Sequence, residues 1–131
     1  MANLKILITD DDADDREFIK DAFKAIGAEC ICLEFEDGKQ LIEYLKLSTN
    51  LTELVIIIDL NMPILGGYDT IKIIKDEPQY NSIPIVIMTT SSSSTDKKKC
   101  QEFGAIDYFV KPLVLTEYED IAKEIITTYS S

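Results

Sequence analysis

Apolar residues gather along this chain in five short runs, each followed by a stretch with helical spacing. The first, Leu4–Thr9, is aliphatic and β-branched, is interrupted by Lys5, and stops abruptly at Asp10, Asp11 and Asp12. A run of that length bounded by acids predicts a buried strand ending at a solvent-facing edge. Asp14 with Glu17 three residues on predicts a helix-opening capping box. Phe18, Ile19, Ala22, Phe23 and Ile26 then keep helical spacing until Gly27. The same unit recurs. Cys30–Phe35 turns at Asp37 and Gly38 into a helix with Leu41, Ile42 and Leu45 on one face. Leu54–Ile58 ends in Asp59, passes through a loop holding Met62, Pro63, Gly66 and Gly67, and enters a helical stretch with Tyr68, Ile71 and Ile74 that runs up to Pro78. Residues 85–88 end at Thr89 and open into a serine run at 91–94, before a helix that stops at Gly104. Residues 106–110 end at Lys111 and Pro112, and Thr116 with Glu119 predicts another capping box ahead of Ile121, Ala122, Ile125 and Ile126.

Strands that are apolar throughout, rather than alternating, are buried on both faces. Alternation of such strands with amphipathic helices predicts a doubly wound α/β fold around a parallel sheet. In sheets of this kind the ligand site lies beyond the carboxyl ends of the strands, where the strand order reverses. Those ends carry Asp10, Asp11, Asp59, Thr89 and Lys111. Burial does not require ionisable groups at several separate strand ends, so together they mark a site. Carboxylates gathered in one crevice raise each other's pKa unless a cation joins them, and oxygen ligands suit a hard ion such as Mg2+. An ionised carboxylate can also attack phosphorus, with the charge of the product offset by a metal and an ammonium.

Composition narrows the picture. The chain has 131 residues, room for one substantial core, and is expected to form one domain over 1–131, with its core at about 4–127 and no output domain. Against 24 Asp and Glu stand 13 Lys and Arg, a net charge of -11 that repels phosphate backbones and anionic lipid. Neither direct nucleic-acid binding nor membrane association is expected. The early apolar stretch is too short for a signal-peptide core or a membrane span, so the expected location is the cytoplasm. Three cysteines and no histidine make neither a disulfide framework nor a four-ligand zinc site. The absence of histidine also excludes imidazole catalysis and a phosphohistidine of the chain's own.

Separated motifs in order carry a family resemblance: Ile6-Leu7-Ile8-Thr9-Asp10-Asp11; Asp59-Leu60-Asn61-Met62-Pro63 with Gly67; Met88-Thr89; and Tyr108-Phe109-Val110 running into Lys111-Pro112. Over nearly its whole length the chain resembles the stand-alone receiver domain of response regulators, the CheY-like family of two-component signalling. The resemblance implies strand order 2-1-3-4-5 and five helices. It implies that Asp59 is the phosphoacceptor and that Asp11 and Asp59 ligate magnesium with the Asn61 backbone carbonyl, Asp10 acting largely through water. It gives Thr89 a hydrogen bond to the phosphoryl oxygen, Lys111 a pairing with Asp59 and then with the phosphoryl group, and Tyr108 a rotation coupled to Thr89. A cis peptide bond between Lys111 and Pro112 is also implied. Thr9 stands where an aliphatic residue is usual. Thr90, like Asn61 and Ser91, lies where the family varies and acyl-phosphate lifetime is tuned.

The implied partners are a sensor histidine kinase or a histidine phosphotransfer protein as donor, and a downstream protein reading the face of the fourth helix, fifth strand and fifth helix. The state would be a monomer or weak homodimer. The acidic run 10–16 is similar to that of stand-alone bacterial receivers, some of which serve phytochrome-type kinases. Lys97, Lys98 and Lys99 form a dense basic spot that is either a solvated helix face or a contact for an acidic partner. Such a domain is not a conventional enzyme, since it catalyses only its own phosphorylation and dephosphorylation. Three rivals compete with this function. A pseudo-receiver that never cycles phosphate would have lost one of Asp11, Asp59, Thr89 and Lys111. A dehalogenase-like phosphatase needs a second Asp two residues after the nucleophile, where Asn61 stands. A flavodoxin-like flavin carrier needs a phosphate loop that Asp10 to Asp14 would repel.

Overall fold

A computed structural model describes residues 4–130. Five strands, β1 (Leu4–Thr9), β2 (Cys30–Phe35), β3 (Leu54–Ile58), β4 (Ile85–Thr89) and β5 (Asp107–Val110), alternate with α1 (Ala13–Ala25), α2 (Gly38–Leu47), α3 (Gly67–Asp76), α4 (Ser94–Phe103) and α5 (Leu115–Tyr129). The strands form one parallel sheet in the order β2-β1-β3-β4-β5, as expected.

The sheet divides the core in two. Leu7, Ile56, Ile58, Ile85 and Ile87 face Leu41, Leu45, Ile71, Ile74 and Cys100 of α2, α3 and α4. Ile6, Ile8, Val55, Ile57, Val86 and Met88 face Ile19, Phe23, Tyr118, Ala122 and Ile125 of α1 and α5. The central strands β3 and β4 are buried at every position, which is why their sequence shows no alternation. Each buried aliphatic side chain contributes roughly 1.5–3 kcal/mol.

Four boundaries differ from the sequence reading. Helix α1 is capped by Asp12 rather than Asp14: the Asp12 carboxylate accepts from the backbone N–H groups of Asp14 and Asp15 at 2.9 and 3.3 Å. Extended φ and ψ at Asp12 free its side chain to fold back over the first turn. Glu17, expected to complete a capping box, pairs with Lys20 at 3.2 Å instead. Helix α5 starts at Leu115 after an extended Val114 with no side-chain cap, so Thr116 lies inside the helix. Strand β5 begins at Asp107; Ile106 precedes it and is 62% exposed, as an edge-strand neighbour can be. Helix α3 ends at Asp76, two residues before Pro78, because proline pushes the preceding Glu77 into extended backbone.

Candidate functional site

The order reverses between β1 and β3, and their carboxyl ends place Asp10, Asp11 and Asp59 side by side. Ladder bonds continue past the strands to fix these positions. The Asp10 N–H donates to the Phe35 carbonyl, Asp59 N–H to Thr9 O, and Lys111 N–H to Thr89 O, at 3.0, 3.0 and 2.7 Å. Asp10 and Asp59 are buried, while Asp11 is exposed at the mouth. One carboxylate oxygen from each lies within 4.8 Å of the others, close enough to share an ion.

Lys111 enters this crevice from the end of β5. Its Nζ lies 2.8 Å from Asp10 Oδ2, 3.0 Å from Asp59 Oδ2 and 2.7 Å from Asp15 Oδ2. Burial alone would lower the lysine pKa, but the hydrogen bonds and charges of Asp10, Asp15 and Asp59 outweigh it and hold the ammonium well protonated. Burial acts the other way on Asp10. Desolvation pushes its carboxyl up to about 6 against the lowering pull of Lys111. A carboxylate so desolvated is one that a bound cation would relieve.

Thr89 is fully buried at the end of β4, and its hydroxyl has no hydrogen-bond partner among the described residues. A buried orphan hydroxyl costs about 1–3 kcal/mol, so its presence beside the crevice calls for a purpose. The Thr9 hydroxyl is orphaned in the same way. The phenol of Tyr108, half-buried on β5, donates to the Ser91 carbonyl at 2.8 Å, just beyond Thr89. Asn61 is exposed, and its N–H donates to Asp59 Oδ1 at 3.4 Å.

The structure thus brings together Asp10, Asp11, Asp59 and Lys111, with Thr89 at the end of β4 and Tyr108 within β5. The expected cis bond before Pro112 is not found: the Lys111–Pro112 bond is trans. Trans is favoured by roughly 0.5–1 kcal/mol in an X–Pro bond, and the backbone bond to Thr89 with the three carboxylate contacts holds Lys111 in place with the bond in that form.

Sequence reasoning missed several participants. Asp15 contacts Lys111 from α1. Arg16 donates to the Asp10 carbonyl at 2.6 Å and to Glu34 on β2 at 3.1 Å, tying α1 over the end of β1. Asp96 accepts from the Ser91 hydroxyl at 2.7 Å and from the Tyr68 hydroxyl at 2.6 Å, linking the loop after Thr89 to α3. An acidic run longer than a metal site needs was the available signal for Asp15. Nothing local pointed to Asp96. Of the basic spot on α4, Lys99 lies over the Tyr68 ring at 4.2 Å, so one of its three lysines has an intramolecular partner.

A doubly wound domain with a buried aspartate, two further acids and a lysine at its switch point defines a class of signalling switch. The chain belongs to the response regulator receiver domain family, whose model matches residues 6–123. It is 33% identical over 109 residues to chemotaxis protein CheY1 of Helicobacter pylori, covering 83% of this chain and 86% of that protein. It is 30% identical to the two-component response regulator ARR7 of Arabidopsis thaliana, covering 94% of this chain and 63% of that one. Among solved structures it resembles the phosphorylated cyanobacterial phytochrome response regulator RcpA, with a TM-score of 0.88, 25% identity, and 99% and 96% of the two chains covered. Among the described residues no helix is long and apolar enough to cross a membrane.

Proposed function

We propose that this chain is a phosphorylation-activated response regulator that accepts a phosphoryl group on Asp59. The observation that carries this is the buried Asp59 carboxylate held 3.0 Å from Lys111 in a crevice shared with Asp10 and Asp11. In this reading an Asp59 oxygen attacks the phosphorus of a phosphohistidine on a sensor kinase or phosphotransfer protein. The P–N bond breaks, and its electron pair leaves with the imidazole. Asp10, Asp11 and Asp59, with the Asn61 backbone carbonyl, would hold a divalent cation, magnesium in this proposal. When bound it offsets the charge on the phosphoryl oxygens. Lys111 neutralises a further charge on the acyl phosphate. The unpartnered Thr89 hydroxyl gains an acceptor in a phosphoryl oxygen, and its movement is passed to Tyr108 and the 90–93 loop.

The similarity to RcpA supports a phytochrome-type kinase as donor. Readout would pass to a protein partner through the α4–β5–α5 face, where Ile106 and Val110 stand exposed, and the setting would be cytoplasmic. Intact-protein mass after incubation with acetyl phosphate and magnesium tests the core of this proposal. One phosphate should appear on the wild type and none on Asp59→Asn. No adduct on either, with a range of donors and prompt quenching, would transfer the weight to a pseudo-receiver that works by binding alone.

A further inference from the structure

Lys111 has one more carboxylate than the proposed chemistry uses. Asp10 and Asp59 belong to the cluster that could hold a cation; Asp15 does not. Yet Asp15 makes the shortest of the three contacts, 2.7 Å, across 96 positions of chain. It sits in the first turn of α1, where an acid is favourable to the helix dipole. That role needs no inward orientation, and Asp14 beside it fills it while exposed. The Asp15 side chain is instead only 22% exposed and is aimed at the ammonium of a lysine whose side chain is 7% exposed.

Electrostatics gives this contact a consequence. A divalent cation entering between Asp10, Asp11 and Asp59 competes with Lys111 for two of those three carboxylates. If they were the only partners of Lys111, the cation could bind only by leaving a buried ammonium unpaired, which is costly. We propose that Asp15 is a positioning residue for Lys111, a permanent counter-ion outside the cation cluster. With it, Lys111 can yield Asp10 and Asp59 to the cation and still remain at the crevice, where the phosphoryl group arrives. This inference rests on the phosphoacceptor reading above.

The test is a calorimetric titration of Mg2+ into wild type, Asp15→Asn and Asp14→Asn at one ionic strength, each first checked for folding by circular dichroism. Asp14→Asn removes the same charge one residue away from a side chain that does not touch Lys111, so it measures the plain charge effect. The expected result is a magnesium dissociation constant raised about fivefold or more in Asp15→Asn and less than twofold in Asp14→Asn, with the wild-type value partly recovered in Asp15→Glu. Equal shifts in the two Asn variants, or none in Asp15→Asn, would overturn the inference. The mass experiment separates that failure from a broader one: a wild type that takes up phosphate while Asp15→Asn binds magnesium normally sinks only the role of Asp15. A wild type that binds no magnesium and takes no phosphate removes both.

Discussion

Two threonines with the same defect test what a buried hydroxyl is for. Thr9 and Thr89 are both fully buried, and both hydroxyls lack a partner among the described residues. Valine has nearly the same shape without the polar atom, so either change to Val should raise stability by about 1 kcal/mol in urea denaturation, since an unsatisfied buried group is removed. Function should separate them. Thr9 ends β1 where an aliphatic side chain would serve, and Thr9→Val should leave phosphorylation of Asp59 and its decay unchanged. Thr89→Val should leave the protein folded but uncouple the Tyr108 environment from phosphorylation, read as loss of the phosphate-induced change in the Tyr108 ring resonances. Equal behaviour of the two variants in that assay would show that the Thr89 orphan is a packing accident rather than the waiting half of a contact.

At the scale of elements, legibility followed burial. The strands were readable because β3 and β4 are buried on both faces, and β1 nearly so, and appear as largely apolar runs, and the site acids were readable because they end two of those runs. The starts of α1 and α5 were not; at α1 several acids in a row compete for one cap. Which of them wins depends on the path of the chain out of β1, where the Asp12 N–H is already held by Asp10 Oδ1 at 2.9 Å. Contacts made across elements, such as Asp15 with Lys111 or Asp96 with Tyr68, leave no local spacing to read. Glycine in the β3–α3 connection was legible as a loop, but its reason is tertiary. A Cβ on Gly67 would lie 2.6 Å from the Asp59 carbonyl and 2.7 Å from Leu60 Cα, backbone atoms that cannot step aside. Gly27 has a left-handed φ of 70° but open space around it. Gly67→Ala should therefore cost about 3 kcal/mol, at the upper end of the range for overpacked cores, and disturb Asp59 itself. Gly27→Ala should cost about 1 kcal/mol, from backbone strain alone. Thermal denaturation of the two variants checks the order, and a Gly67→Ala as mild as Gly27→Ala would mean that α3 can shift away from β3.

For the molecule as a whole, the crevice concentrates a problem that the net charge of -11 spreads everywhere. Burial raises Asp10 from an ordinary value of 3.8 to about 6 in the native state. Between those two values the unfolded chain has released this proton and the native state has kept it, so the native state binds more protons and unfolding free energy falls as pH rises. The loss is complete just above pH 6 and amounts to on the order of 2–3 kcal/mol. Other carboxylates titrate in the same window, so the contribution is read as the difference between wild type and Asp10→Asn, whose amide cannot ionise. In metal-free protein the variant should gain on the wild type from about pH 4 to about pH 6 and keep a constant lead above it. Magnesium should narrow that lead at pH 7. A cation that binds only the native state at a hundred times its dissociation constant adds about 2.7 kcal/mol, and the variant, lacking one of the three carboxylates, should gain less. Denaturation curves that stay parallel across pH, or an equal magnesium response in both proteins, would mean that Asp10 is neither strained by its burial nor relieved by the ion. The site would then have to be understood as a lysine salt-bridge network that holds β1, β3 and β5 together.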